Sequence, residues 1–332
     1  MGSFFCQPKT TLIRLHAIQE KQAGGVPSPL TGKPTEPVHS IDVEDLARAY
    51  EKGLQVDIRS YLQGVSSLVL RRCRESGYRF YHPGHVVGDD PFYRALARHD
   101  WYYQESKWEF EESVRFLPPN GNLLEIGPGR GDFLRACRIA RPGLRTTGLE
   151  LNHAAAATAR ENGLDVREEE LELHILSRHE KYDSVCAFQV LEHISDPLTF
   201  LKNCVSALKP GGQLMVAVPD NTQKQPSSLF VRPDDPLNMP PHHQGLWDVT
   251  SMAFLSRILP LRLRHLHSET VWQESQLDNY LRQLRAEFKK RHGAGMGRCL
   301  YWMGSSYLRM TLRCLAPFLP AHCLLAIFEK EA

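Results

Sequence analysis

The chain has 332 residues, 42% of them hydrophobic and 23% charged, with 40 basic against 38 acidic side chains. That composition is ordinary for a globular protein and long enough for one large domain with extensions. The near-balance of charge argues against a chain drawn as a whole to nucleic acid or anionic lipid.

No apolar run reaches the ~20 residues of a membrane span. Eight cysteines, with no Cys-x-x-Cys pair, suit buried thiols in a reducing compartment, so a cytoplasmic location is expected. The opening MGSFFC lacks a basic region followed by a long apolar core, which argues against a secretory signal. Cys6 stands where myristoylation prefers Ser or Thr. From Lys21 the chain is rich in Pro, Gly, Lys and Gln, and residues 1–40 are expected to be poorly ordered. Asp42 and Asp45 then mark a helix start, with Val43, Leu46, Ala47 and Tyr50 at helical spacing and Gly53 as its stop. A short amphipathic piece follows from Val56 to Leu62. Residues 77–81 alternate as a strand ended by His82-Pro83-Gly84. These pieces make a cap module over 41–117, closed by an aromatic stretch whose segment 104–117 reads as a helix. Most of its aromatics suit a core between cap and sheet.

A domain over 118–332 opens with residues 123–134, LLEIGPGRGDFL. Leu123, Leu124 and Ile126 suit a buried parallel strand. Gly127, Gly129 and Gly131 permit a tight turn, and Asp132 opens a helix: the nucleotide-binding corner of a doubly wound α/β sheet. A dinucleotide fingerprint places its third glycine three residues after the second. Here it comes after two, and an acid, Glu125, precedes the turn. A glycine turn with no ligand stays open at this point. The alternation continues with a strand 144–150 ending in Glu150, where an acid ~20 residues past the glycines can accept ribose hydroxyls. Then come an alanine-rich helix 153–163, a strand 164–169, a strand 181–189, a helix closed by Lys209-Pro210-Gly211-Gly212, and a strand 213–219. Asp248 or Thr250 caps a helix through Arg257. Residues 261–270 and 321–330 are strands, and 275–320 inserts two amphipathic helices between them. The first ends in Lys289-Lys290-Arg291-His292, charges that favour a helix C-terminus without invoking nucleic acid. The second suits a substrate-covering or dimer-forming helix, with peripheral membrane contact left open.

The segment E-x-G-x-G-x-G resembles motif I of class I S-adenosylmethionine-dependent methyltransferases. YDSVCAFQVLEHISDPLTFL followed by LKPGGQLMVAVP resembles motifs IV and V of their broad ubiquinone-biosynthesis-like group. The resemblance covers roughly residues 115–220. It implies a Rossmann-like, seven-stranded, mainly parallel sheet with an antiparallel last strand. It also implies S-adenosylmethionine as cofactor, held by Glu125, Gly127, Gly129, Gly131, Glu150, Leu151, Glu170, Leu171, Phe188 and Gln189. The enzymes that the chain resembles use a helix in the aromatic stretch before the first strand to cover the cofactor, which implies Tyr102, Tyr103 or Trp108 at the site. In the same group PPHH and a Trp often follow strand five, as in residues 238–257 here. The N-terminal part is similar to a zinc-ribbon module with its knuckles at Ser28–Thr31 and Cys73–Ser76. Only one of those four positions is a thiol, so the outline is implied without its metal, and two unrelated glycine turns explain the pattern as well.

His193, His242 and His243 are the candidates for a proton acceptor at the C-terminal strand edge. Adjacent histidines are expected to point different ways, leaving at most one of His242 and His243 toward substrate. A metal there is set aside for want of a carboxylate or cysteine at ligand spacing. The expected activity is methylation of a small molecule on oxygen, with a sugar derivative or another secondary or cell-envelope metabolite as acceptor. A nicotinamide oxidoreductase and a non-catalytic cofactor-binding protein are the alternatives. Oligomeric state is not legible.

Overall fold

A computed structural model describes residues 15–16, 25–99, 102, 107–176, 181–222, 235–270, 277, 310–311, 313–315 and 320–331. A seven-stranded sheet is built from β5 (Asn120–Ile126), β6 (Gly143–Leu149), β7 (Val166–Arg167), β8 (Tyr182–Phe188), β9 (Leu208–Pro219), β11 (Leu261–Thr270) and β12 (Pro320–Lys330). Its order is β11-β12-β9-β8-β5-β6-β7. The five strands from β7 to β9 run parallel, and β12 lies antiparallel to its two neighbours β9 and β11. This is the sheet expected from the sequence. Its central strands are largely apolar because helices cover both faces, so there is no solvent side on which to alternate.

The crossovers are α4 (Asp132–Ala140), α5 (His153–Glu161), α6 (Leu171–Leu176) and α7 (Pro197–Ala207). Asn152 caps α5 through the Ala155 amide, and Asp196 caps α7 through Thr199 with Pro197 in the first turn. One core, with Leu124, Val185 and Val216, forms on one face of the sheet. A second, with Leu123, Phe133, Phe188 and Met215, forms on the other.

The N-terminal module contains β1 (Leu15–His16), β2 (Thr35–Asp42), α1 (Val43–Leu54), β3 (Ser67–Cys73), β4 (Arg79–His82), α2 (Asp90–Leu96) and α3 (Trp108–Val114). Its five-stranded sheet has the order β1-β2-β3-β4-β10, and the last strand, β10 (Gly245–Leu246), comes from the far end of the chain. The module is stitched to the large sheet: Leu30, Tyr78 and Phe80 share the core that contains Leu124 and Trp247.

Several expectations are corrected. Residues 25–40 are not loose: they form a turn and β2, because Leu30 is wholly buried beneath the module and anchors the segment. Gly53 does not end α1, which runs on to Leu54 and closes at Gln55 in a left-handed conformation. The third strand is cut to Val166–Arg167, its pairing limited to the end of β6. Lys209–Gly212 do not merely stop a helix. They lie within β9 as an irregularity, between the Tyr182–Leu208 and Ser184–Gln213 pairs. The two knuckle-like turns do meet: the Thr31 hydroxyl and Cys73 thiol are 3.3 Å apart, and hydrogen bonds from Ser76 and Thr31 bring the thiol's pKa down against the opposing effect of burial. The helical insertion 275–320 falls almost wholly outside the described residues, as do Trp101 and Tyr103. Among the described residues no helix is long and apolar enough to cross a membrane.

Candidate functional site

The glycine turn leaves β5 with Gly127, Gly129 and Gly131 all at positive φ. It is also tightly walled. A Cβ at Gly127 would fall 2.6 Å from the Val190 side chain, and one at Gly131 would fall 2.2 Å from Leu164. The three glycine amides are all committed within the protein. Gly127 donates to the Leu149 carbonyl (2.9 Å), Gly131 to Pro128 (2.9 Å) and Gly129 to the Glu150 carboxylate (2.8 Å). The other Glu150 oxygen accepts from Asn152, also at 2.8 Å. Burial raises the Glu150 pKa and these amides oppose the rise.

Glu125, on β5, is buried with one carboxylate oxygen lacking a hydrogen-bond partner among the described residues. Burial pushes its pKa up to about 8, with Glu150 and Asp132 adding to the rise and Lys107 opposing it. A pyrophosphate would find no free glycine amides here and would face two carboxylates, so the turn does not suit a dinucleotide. A nucleoside carrying cationic groups suits it: Glu150 stands ready for ribose hydroxyls and the orphaned Glu125 oxygen for positive charge.

The remaining cofactor candidates fall in different places. Leu151 is exposed at the end of β6, and Glu170 with Leu171 opens α6. Phe188 ends β8 with its side chain in the core, edge-on to Phe133 at 4.8 Å. Gln189 adopts φ 56 and gives its side-chain amide to the buried Glu109 on α3 (3.2 Å). Trp108 packs edge-on against His267, while Tyr102 approaches His242 at 6.4 Å.

Past Val190, the 3-10 turn Leu191–His193 carries the first candidate histidine. The buried loop before β10 brings the other two to it, held by the Tyr50 hydroxyl on the Met239 carbonyl (2.9 Å) and by Gln244 on Val86 (2.8 Å). The expectation that His242 and His243 diverge is overturned. Their rings stack 4.4 Å apart at 18°, and His193 closes on them at 4.7 and 4.9 Å. The loop carries the Pro240-Pro241 pair, and both rings are buried. Burial keeps all three neutral, with His193 brought down to about 4 and His242 to about 3.

Sequence reasoning missed Glu109, Tyr93, Glu192 and Asn238. Glu192 lies beside His193 in the VLEH block and could have been flagged by adjacency. Tyr93 comes from α2, 100 residues from His193, and its hydroxyl lies 3.4 Å from that ring. Nothing in its local sequence distinguishes it.

A family model described as a methyltransferase domain matches residues 109–284. The chain belongs to this methyltransferase-domain family. The methyltransferase domain is 28% identical over 157 residues to a ubiquinone biosynthesis O-methyltransferase of Sodalis glossinidius, covering 44% of this chain and 61% of that protein. It is 28% identical over 181 residues to the Yersinia enterocolitica protein of the same name, covering 51% and 69%. The chain thus spans about six-tenths of the length of the first curated relatives it matches, 61% and 62%. Among solved structures, a SAM-dependent methyltransferase from Archaeoglobus fulgidus is similar over 72% of this chain and 100% of its own. That pair shares 17% identity at a TM-score of 0.48.

Proposed function

We propose that the protein transfers a methyl group from S-adenosylmethionine to a small-molecule acceptor in the cytoplasm, on oxygen. The observation that carries this reading is the glycine turn: its amides are spent internally, the part-buried Glu150 carboxylate closes the turn, and the buried Glu125 lies on the strand that leads into it. Glu150 would hold the ribose and Glu125 the positive charge, with Gly129 giving the backbone close approach. When bound, the cofactor supplies an electrophilic methyl group. The chain's own work is positioning and the removal of a proton from the acceptor. On this reading the three neutral imidazoles, on the turn after Val190 and the loop before β10, wall the acceptor side. A sugar derivative or another secondary or cell-envelope metabolite is the acceptor class this reading favours over an amine, because an ordinary hydroxyl must lose a proton on methylation.

The test is a panel of sugar, phenol and amine acceptors incubated with S-adenosylmethionine, scored by release of S-adenosylhomocysteine, with NAD binding measured alongside by calorimetry. Turnover confined to hydroxyl acceptors and no NAD binding is expected. Binding of NAD without S-adenosylmethionine would overturn the reading.

A further inference from the structure

The three histidines are more ordered than a wall requires. Nδ1 of His193 donates to the His242 carbonyl (2.6 Å), and Nδ1 of His242 to the Leu237 carbonyl (2.8 Å). Nδ1 of His243 donates to the Asn238 side-chain oxygen (3.1 Å). That amide is itself oriented. Asn238 donates to Asn221 (2.9 Å), and Asn221 donates to the Pro219 carbonyl (3.0 Å). Each carbonyl or amide oxygen can only accept, so each ring carries its proton on Nδ1 and its lone pair on Nε2.

One ring nitrogen from each histidine lies within 4.8 Å of the others. Three acceptor-bearing rings gathered in a buried site repel one another unless something positive sits among them. Beside them is Glu192, about 1% exposed, with one oxygen 3.9 Å from His193 Nε2 and the other lacking a partner among the described residues. Three oriented imidazoles beside a buried carboxylate, one of whose oxygens lacks a partner among the described residues, make a donor set that offsets one of a dication's two charges. Imidazoles whose second nitrogen donates to an oxygen are the usual metal-ligating arrangement. The sequence brought the three histidines to one strand edge but not to ligand distance, because His193 lies 49 residues upstream of the His242-His243 pair.

We propose that His193, His242 and His243 bind a divalent metal ion through Nε2, zinc being the cation this donor set favours, with Glu192 offsetting one unit of its charge. Three protein ligands leave a coordination position open. On the methyl-transfer reading, on which this last step rests, the open position takes the acceptor oxygen and lowers the pKa of its hydroxyl. The proton leaves to water, the oxygen lone pair forms the new O–CH3 bond, and the sulfur–methyl bond breaks to give a neutral thioether.

The test uses the full chain, stripped with a chelator and dialysed against zinc chloride. About one zinc per chain is expected, with X-ray absorption showing imidazole nitrogens at ~2.0–2.1 Å and no sulfur. His193→Gln and His243→Gln should each lose the ion with circular dichroism unchanged. Asn238→Ala should bind ~10-fold or more weakly. Cys73→Ser, at the thiol-bearing knuckle, should bind as wild type. If the histidine variants do not fold, the wild-type absorption spectrum decides. Failure to load zinc, sulfur in the coordination sphere, or zinc retained by folded histidine variants would each overturn the proposal. Methyl transfer by a chain that takes up no zinc would sink the metal site and leave the function reading intact. Zinc loading without S-adenosylmethionine binding would do the reverse.

Discussion

Glu150 performs two tasks with one carboxylate: it closes the glycine turn through Gly129 and offers lone pairs to a ribose. Glu150→Ala should therefore weaken S-adenosylmethionine binding by ~10–100-fold, since a hydrogen bond to a charged group contributes about 1.5–3 kcal/mol. Glu150→Gln should retain part of that affinity. Calorimetry showing an unchanged Kd in the alanine variant would remove Glu150 from the site. Glu125 gives a pH signature. Its pKa is raised to about 8, so the protonated form is favoured in the folded, unliganded protein. The stabilisation this gives is complete below the ordinary carboxylate range and is lost as pH rises through about 8. A cationic ligand prefers the ionised form. Its affinity should rise between about pH 6.5 and 9, by up to ~10-fold per unit, and the slope should vanish in Glu125→Gln. A flat profile in the wild type would mean that Glu125 does not meet the ligand's charge.

Elements position these residues through their ends. The loop between β9 and α8 (Val249–Phe254) is fixed at its far end by a capping box, in which Asp248 accepts from the Ser251 amide (2.8 Å) and the Ser251 hydroxyl accepts from the Asp248 amide (2.9 Å). Asp248 also faces Arg79 of β4 at 3.6 Å, a contact in which both side chains are largely buried. Asp248→Ala should lower stability by about 1 kcal/mol for the cap alone. It should lower it further because Arg79 is left buried with less compensation. Chemical denaturation reads the sum, and a midpoint within error of wild type would show that the box does not hold the loop. The sequence narrowed this cap to Asp248 or Thr250, because a capping residue acts within three positions of itself, and the structure selects Asp248. The β4–β10 pairing escaped it: a two-residue strand has no periodicity to display.

For the molecule as a whole, the N-terminal module is a structural part of the sheet rather than an appendage. Leu30, Tyr78 and Phe80 fill the same core as Leu124, Val185 and Trp247, and β10 completes the module's own sheet. Residues 107–332 expressed alone should therefore expose an apolar face and fail to give a monomer with cooperative unfolding, as size exclusion and thermal melts would show. A cooperative, monomeric fragment would contradict a shared core. The strand-turn-helix at 123–134, the regular strand–helix alternation and Glu150 at the end of its strand were all legible in the sequence, because hydrophobic period, glycine and capping chemistry are local and repeat along the chain. The commitment of the three glycine amides, the core position of Phe188, the anchoring of residues 25–40 through Leu30 and the stacking of His242 on His243 beside His193 were not legible. They depend on which distant strand edge or loop comes to lie alongside, and only the packing of the module against the sheet decides that.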